Sequence, residues 1–410
     1  MKKEKKLTVY ENLMWNTIGS FTYLICQWLL TLIVVRESVG FENAGNLALA
    51  ISITNIFYNL ACFNVRPYLI SDLNNKFSSE EYCAFRVFTC VASIGLCGVY
   101  GSFFHYDMQK MMCIMLYMLF KETEAWVDLL HGFEQRKDRM DIGGVSLFVR
   151  GILSVLSFWI TLKQTDNINI SIISMTIVTA VVILGFDIPN AKKFEKLSIR
   201  CEKATIWKML IEFLPLTIGS FLSSTGTNIP RQVLEAKFGS NVLGIYSTVA
   251  TPAVFVQVAA SYIFNPVLVE FARCYQEKNY KKMKKNIMKI SAALIALIVI
   301  CMIGVKLVGK IGLTFLYGQE TGKYVWVLSP VILFTGLNAF VWFFWNLLVV
   351  MRKQKELLKI NVIGVVVVAL VMEPVIAKYE MNGVSYVLIF YSVVLIGMML
   401  KEILCGLRLK

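Results

Sequence analysis

The sequence predicts an all-α polytopic membrane protein with about twelve transmembrane helices, arranged as two parallel-repeat six-helix bundles around a central cavity. Three observations support this fold class. First, 57% of the 410 residues are hydrophobic and only 17% are charged, whereas soluble proteins carry about 25% charged residues. Second, the apolar residues form runs of about 20, long enough to cross roughly 30 Å of hydrocarbon. Third, the pentapeptide TIGSF occurs twice, at residues 17–21 and 217–221.

Each long apolar run is predicted to form a helix. Backbone N–H and C=O groups inside a bilayer find no water, so they must be satisfied within their own segment. The predicted spans cover residues 13–35, 44–65, 84–104, 108–130, 142–162, 168–186, 210–230, 241–266, 287–308, 325–350, 358–377 and 382–404.

The loops between these runs predict the orientation of the chain. With the N-terminus in the cytoplasm, 31 of the 41 Lys and Arg residues fall on the cytoplasmic side, nine fall outside, and Lys121 lies within a span. This asymmetry follows the positive-inside rule, so both termini are predicted to be cytoplasmic. Topology also accounts for the formal net charge of +14, and no nucleic-acid partner is expected.

The two TIGSF copies belong to a longer internal repeat. Further landmarks recur in nearly constant register after each copy, and Tyr82 matches Tyr280 at a spacing of 198 residues. An even number of predicted spans separates the copies, so the two halves are parallel repeats related by an axis along the membrane normal. The matches at a spacing of 199 residues are Gly40 with Gly239, Gly45 with Gly244, and Pro67 with Pro266.

The repeat predicts the domain organisation. Residues 1–187 form an N-terminal six-helix bundle, residues 188–208 a basic cytoplasmic linker, and residues 209–410 a C-terminal six-helix bundle. The linker contains six of the chain's Lys and Arg residues and is interpreted as a tether between the bundles.

The sequence contains no residue pattern typical of an enzyme or of a cofactor site. The stretch GVKLVGKI at 304–311 resembles a P-loop, but Ile311 replaces the hydroxyl residue that binds magnesium, and the stretch follows an apolar span. The two histidines, His105 and His131, lie outside any metal-like cluster, and none of the ten cysteines forms a CxxC pair. We therefore expect no catalytic residue, no metal and no cofactor.

Charged residues inside the fourth span are the main candidates for a site. Lys121, Glu124 and Asp128 stand at i, i+3 and i+7, so they share one helix face. Two interpretations are open. The face lines a polar cavity in which Glu124 or Asp128 binds a proton or cation, or the charges form internal ion pairs that join helices.

Arginines supply the remaining candidates. Arg150 lies within the fifth span, where it is placed to pair with Glu124 or to contact an anionic substrate. Arg36 and Arg231 end the first and seventh spans on the outer side, where they either form a positive site at the mouth of a cleft or extend to the interface from the helix ends. Arg66 and Arg86 flank the loop after the second span and are interpreted as topology anchors, with a cytoplasmic anion gate as the alternative.

Four segments carry a resemblance to a known family: NTIGSFTYLICQWLLTLIVVR, GFENAGNLALA, VRPYLISDLNNKFSSEEYCAFR and LLHGFEQRKDRMDIGGVSLFVR. With the twelve predicted spans in two parallel halves, they resemble the polysaccharide flippase branch of the multidrug/oligosaccharidyl-lipid/polysaccharide (MOP) exporter superfamily. The resemblance covers nearly the whole chain and is closest to bacterial O-antigen and capsule repeat-unit flippases.

The resemblance implies a flippase and not an enzyme. Such proteins move an undecaprenyl-diphosphate-linked oligosaccharide repeat unit from the inner to the outer leaflet of the bacterial cytoplasmic membrane, by alternating access, for surface polysaccharide synthesis. The implied partners are this substrate, membrane lipids, and the polysaccharide polymerase and glycosyltransferases of the same process. The candidates for binding the pyrophosphate are Arg36, Lys121, Arg150 and Arg231. The candidates for coupling to a proton or sodium gradient are Glu124 and Asp128.

Other functions fit part of the same pattern. A multidrug/cation antiporter of the same superfamily favours an acidic cavity, whereas Lys121 and Arg150 predict a mixed or positive one. A major-facilitator transporter also has twelve spans, but the loop at residues 66–82 lacks the expected Gly- and Arg-rich pattern. A non-transporting scaffold of a polysaccharide synthesis complex would not need its buried charges.

Overall fold

The structure is a computed structural model that describes residues 8–72 and 75–408. Within these ranges every regular element is a helix. Five of the basic residues counted for topology lie outside the described residues, namely Lys2, Lys3, Lys5, Lys6 and Lys410.

Fifteen α-helices follow one another along the described chain. A π-helical segment, Ile183–Asp187, lies between α7 and α8, and single 3₁₀ turns precede and follow α10. The helices are α1 Val9–Glu37, α2 Glu42–Cys62, α3 Val65–Ser71, α4 Ser79–Phe103, α5 Met108–Arg136, α6 Met140–Thr165, α7 Ile168–Val182, α8 Ile188–Ala191, α9 Lys203–Ala250, α10 Val254–Phe264, α11 Leu268–Gln276, α12 Tyr280–Tyr317, α13 Gln319–Gly322, α14 Val325–Val350 and α15 Gln354–Arg408.

The helices confirm that the chain is a multi-pass membrane protein. Among the described residues, nine helical stretches are long and apolar enough to cross a membrane. Two of them hold two predicted spans each, because α9 and α15 are divided only by single non-helical residues, Gly239 and Glu380. The helix α5 is not among the nine; its polar residues, including Lys121 and Glu124, give it low hydropathy. Every predicted span falls on a helix, while twelve crossings remain a prediction.

The described chain separates into two compact units. The first comprises Met1–Val39 and Asn46–Phe221, and the second comprises Gly40–Gly45 and Leu222–Lys410. In the first unit, the ring of Tyr68 stacks on Phe213 at 4.1 Å between ring centroids. The predicted division at residues 187 and 209 concerns the sequence repeat, and nothing in the structure tests it.

Two glycine pairs of the repeat share their structural roles. Gly40 and Gly239 both have positive φ, +78° and +82°, a conformation that glycine adopts without a steric penalty. Gly45 lies directly against the backbone of Ser240, and Gly244 lies against the backbone of Phe41. Because Phe41 and Ser240 are themselves 199 residues apart, the two contacts are reciprocal, which supports the repeat alignment.

The first TIGSF copy marks a close helix contact in the first unit. Gly19 of α1 packs on Gly144 of α6 so closely that a Cβ atom at Gly19 would lie 2.0 Å from the Gly144 carbonyl oxygen. Small residues allow such backbone approach in membrane helices. The contact fixes α1 beside α6, which carries Arg150.

We expect Gly19→Ala to destabilise the protein by about 1–3 kcal/mol, because the added methyl group forces the two helices apart. The measurement is thermal unfolding of the purified chain in detergent. Gly95→Ala is the matched control, since Gly95 is also helical and no atom lies within 4 Å of the position that its new methyl group would take. Equal stability of the two variants would contradict the close contact.

Candidate functional site

The helix α5 carries most of the charges that lie inside predicted spans. It begins where the Asp107 side chain accepts a hydrogen bond from the Lys110 N–H at 2.8 Å, an N-cap that satisfies one open donor of the first turn. It packs against α3, α4, α6 and α7. Its polar face therefore meets side chains from several helices of the first unit.

The pairing of Arg150 with Glu124 is present. Arg150 Nη1 donates to Glu124 Oε1, and the guanidinium also lies over the ring of Tyr23, 5.3 Å from its centroid. Arg150 is only 1% exposed, so α5 and α6 enclose the pair. This geometry favours the interpretation of an internal ion pair that joins helices, with Arg150 neutralised by a carboxylate.

Asp128 is held by two arginines. Its Oδ1 lies 3.4 Å from Arg66 Nη1 and its Oδ2 lies 3.4 Å from Arg86 Nη2. Arg66 also donates to Gln135 Oε1 through Nη2, at 2.7 Å. With both oxygens engaged by fixed positive charges, Asp128 is suited to join α3, α4 and α5 and poorly suited to exchange a cation.

Arg86, which the sequence analysis interpreted as a topology anchor, is buried in the structure. Its side chain is 0% exposed, and Nη1 donates to the carbonyl oxygen of Ala61. Ala61 lies at the end of α2, where Phe63 and Asn64 take positive φ and break the helix. A basic group at a helix C-terminus satisfies open carbonyl groups and the helix dipole. Arg86 is thus an interior residue that ends α2.

Lys121 has a different environment from the other charged residues of α5. Its Nζ lies 5.2 Å from the ring centroid of Tyr58 and 5.7 Å from that of Tyr117. Among the described residues, no carboxylate lies within 4.0 Å of this nitrogen, although Glu124 is within electrostatic range. Two aromatic faces stabilise an ammonium group by about 0.5–2 kcal/mol. Lys121 is therefore a cation that can still accept a negatively charged partner.

The other two arginine candidates lie in different units of the chain. Arg36 lies exposed in the last turn of α1, in the first unit. Arg231 lies in α9, in the second unit, and is partly buried. Their proposed pairing across a cleft stays a prediction.

A small polar cavity lies beside the loop between α3 and α4, with a volume of about 190 Å³. Partial burial raises the pKa of the Asp72 carboxyl, but hydrogen bonds from the N–H groups of Lys76 and Phe77 and from the Tyr82 hydroxyl outweigh it, so the pKa lies below its usual value. Lys76 Nζ lies 2.7 Å from Glu212 Oε1. Since these charges already have partners, we interpret the cavity as a structural contact between this loop and α9, and not as a binding site.

Sequence reasoning missed three buried acidic residues of the first unit. Glu122 is 7% exposed and accepts a hydrogen bond from Ser93 Oγ at 2.8 Å. Glu134 and Asp187 are both 0% exposed. The sequence signal for Glu122 was its position in the middle of a predicted span. Glu134 and Asp187 stood at predicted span ends, where carboxylates usually face water, so burial was not expected.

Comparison with known proteins gives one sequence relative and several structural ones. No family model matches the sequence. The chain is 23% identical over 320 residues to the capsular polysaccharide biosynthesis protein CapF of Staphylococcus aureus, a match that covers 76% of this chain and 78% of that protein.

The structural matches extend over nearly the whole chain. An inward closed conformation of the lipid II flippase MurJ matches with a TM-score of 0.76 at 12% identity, covering 95% of this chain and 87% of that one. An inward-facing multidrug resistance MATE family transporter of the MOP superfamily matches with a TM-score of 0.71 at 11% identity, covering 98% and 97%. The chain has the MOP exporter fold.

The shared fold confirms the predicted class of an all-α polytopic membrane protein. The two solved structures reported above are a transporter and a flippase. Because one fold supports several functions, the substrate has to be argued from the site itself.

Proposed function

We propose that this chain is a flippase for a polyprenyl-diphosphate-linked oligosaccharide, in particular an undecaprenyl-diphosphate-linked repeat unit of a bacterial surface polysaccharide. It moves this substrate from the inner to the outer leaflet of the cytoplasmic membrane by alternating access, with both termini in the cytoplasm. The likeness to CapF and to the lipid II flippase MurJ supports this substrate class.

The observation that carries the proposal is the environment of Lys121. An ammonium group between two tyrosine rings, with no carboxylate within 4.0 Å among the described residues, is a receptor for a phosphate oxygen. Tyrosine rings also offer flat, partly polar surfaces on which sugars pack. Arg150 and Glu124 then position this site, because their ion pair fixes α6 against α5.

A multidrug/cation antiporter is the second candidate, and the likeness to a MATE transporter favours it. Such a protein needs a carboxylate that is free to meet a cationic drug. In the first unit, Glu124 and Asp128 are instead occupied by arginines. The environments of Lys121, Glu124 and Asp128 therefore favour an anionic substrate.

The proposed function is tested by reconstitution of the purified chain into liposomes. The probe is a polyprenyl-diphosphate-linked disaccharide with a fluorophore on the sugar, and dithionite added outside destroys the fluorescence of exposed probe. We expect the chain to expose probe from the inner leaflet without ATP, since the P-loop-like stretch lies within the helix α12. Fluorescence protected as in protein-free liposomes would contradict the proposal, as would a requirement for ATP.

The energy for net movement is proposed to come from an ion gradient, and a pH gradient and a sodium gradient are to be imposed separately on the same proteoliposomes. A change in the rate or extent of probe exposure under one of these gradients identifies the coupling ion. An unchanged rate under both gradients would contradict ion coupling. It would not contradict the proposal that the chain exposes the probe.

A further inference from the structure

Three ionisable side chains lie buried near the end of α5, away from Lys121. Glu134 and Asp187 are each 0% exposed, and His131 is 5% exposed. His131 Nε2 lies 3.5 Å from Asp187 Oδ1. Neither oxygen of Glu134, neither oxygen of Asp187, nor His131 Nε2 has a hydrogen-bond partner among the described residues. We refer to Glu134, Asp187 and His131 as the buried triad.

The charges that face the buried triad come from α3, α5, α6 and the π-helical segment. Asp187, Asp141, Arg66 and Arg139 act on Glu134, and Asp187, Arg150 and Arg66 act on His131.

Each of these arginines is already bound to another carboxylate. Arg66 binds Asp128, Arg139 binds Asp141 at 2.9 Å, and Arg150 binds Glu124. The two carboxyl groups of the buried triad are therefore left without a fixed positive charge of their own.

This arrangement is unfavourable when both carboxyl groups are ionised. Burying one unpaired carboxylate costs several kcal/mol, and two neighbouring carboxylates also repel each other, so one of them takes up a proton. Burial lowers the pKa of the His131 imidazole, so the carboxyl groups are the preferred proton acceptors. A bound proton removes the unpaired charge and supplies the missing hydrogen-bond donor.

Two backbone features adjoin the buried triad, a π-helical segment and a glycine of α6. Asp187 ends the π-helical segment Ile183–Asp187, and single π turns inside helices are frequent at functional sites. Gly143 of α6 faces the imidazole, and a Cβ atom there would lie 3.2 Å from His131 Cγ. The glycine thus leaves room for the ring. In the described chain, no group of three His, Cys, Asp or Glu side chains has metal-ligand geometry.

We propose that the buried triad is a proton-binding site, and that Glu134 takes up and releases the proton that couples transport to a pH gradient. This inference rests on the proposed function for its coupling role. Binding transfers one proton from water to a carboxylate, and release returns it, so the buried triad changes by one charge in each cycle. The buried triad takes the coupling role that the sequence analysis assigned to Glu124 and Asp128, because those two carboxylates are paired with arginines.

The first test is independent of any lipid substrate. Infrared difference spectra of the full-length chain in detergent, recorded between about pH 10 and about pH 6, detect buried protonated carboxyl groups by their C=O stretching band. We expect this band in the wild-type chain and in Asp138→Asn, a control at an exposed carboxylate four residues from Glu134. In Glu134→Gln and in Asp187→Asn we expect it to be about twofold weaker or absent.

Two outcomes would overturn the protonation site. One is an unchanged band in both Glu134→Gln and Asp187→Asn. The other is a band that sodium chloride removes at constant pH while choline chloride does not, because the site then binds sodium. Both replacements preserve side-chain shape, and thermal unfolding identifies any variant that fails to fold, in which case the other variant decides.

The second test addresses coupling. In the proteoliposome assay, a pH gradient should change the rate of probe exposure for the wild-type chain and for Asp138→Asn, and should have no effect on Glu134→Gln. A pH response that persists in Glu134→Gln would overturn the coupling role. If the wild-type chain exposes no probe, the proposed function fails while the infrared result on the buried triad still stands.

Discussion

Lys121→Ala is expected to slow exposure of the lipid-linked probe at least about tenfold, because a charge-assisted contact to phosphate contributes about 1.5–3 kcal/mol. The replacement removes the cation that lies between Tyr58 and Tyr117 and leaves the ion pairs of α5 in place. The measurement is the initial rate of fluorescence loss to dithionite in proteoliposomes with equal amounts of protein.

The control for this change is Lys163→Ala. Lys163 also lies over an aromatic ring, that of Trp159 at 5.5 Å, but it stands exposed in the last turn of α6. It should retain the wild-type rate. Lys121→Arg keeps the charge and should retain part of the activity. Full activity in Lys121→Ala would show that this residue does not contact the diphosphate.

Arg150→Ala is expected to destabilise the protein by about 3–5 kcal/mol, because it leaves the partly buried carboxylate of Glu124 without its partner. Thermal unfolding in detergent should shift to a clearly lower temperature, and probe exposure should fall with the loss of folded protein. The effect is structural in origin, since Arg150 is 1% exposed and already bonded.

Replacing Arg150 and Glu124 together separates their stabilising role from any role in substrate binding. Replacing both partners with apolar residues of similar size, as in Glu124→Leu with Arg150→Met, is often neutral or stabilising for a buried ion pair. We expect the double variant to recover most of the stability and part of the probe exposure. A double variant that is as stable as the wild type but inactive would mean that Arg150 contacts the substrate directly.

The helices could be predicted from the length of the apolar runs, and the repeat could be predicted from landmark residues at a nearly constant spacing. Apolar runs of membrane length specify helices wherever they occur. Spacing matched Gly40 with Gly239, whereas their shared positive φ was visible only in the structure. The continuity of α9 and α15 could not be predicted in this way. A single non-helical residue, Gly239 or Glu380, replaces the polar loop that a change of direction was expected to need.

Charged partners could be predicted only where they lie on one helix face or on the next helix along the chain. Spacing placed Lys121, Glu124 and Asp128 on one face, and the short distance in sequence suggested Arg150. Periodicity tells which side chains share a face but not which helix packs against that face. Arg86 and Asp187 meet their partners through the tertiary packing of distant segments, so their burial and roles became visible only in the structure.

Recognition of an anionic, diphosphate-linked lipid can be tested by competition in the proteoliposome assay. Unlabelled undecaprenyl diphosphate and the lipophilic cation tetraphenylphosphonium are each added to wild-type proteoliposomes that contain the fluorescent probe. We predict that undecaprenyl diphosphate slows probe exposure in a dose-dependent manner and that the cation has no effect. Inhibition by tetraphenylphosphonium, with none by undecaprenyl diphosphate, would contradict anion recognition and favour a cation antiporter.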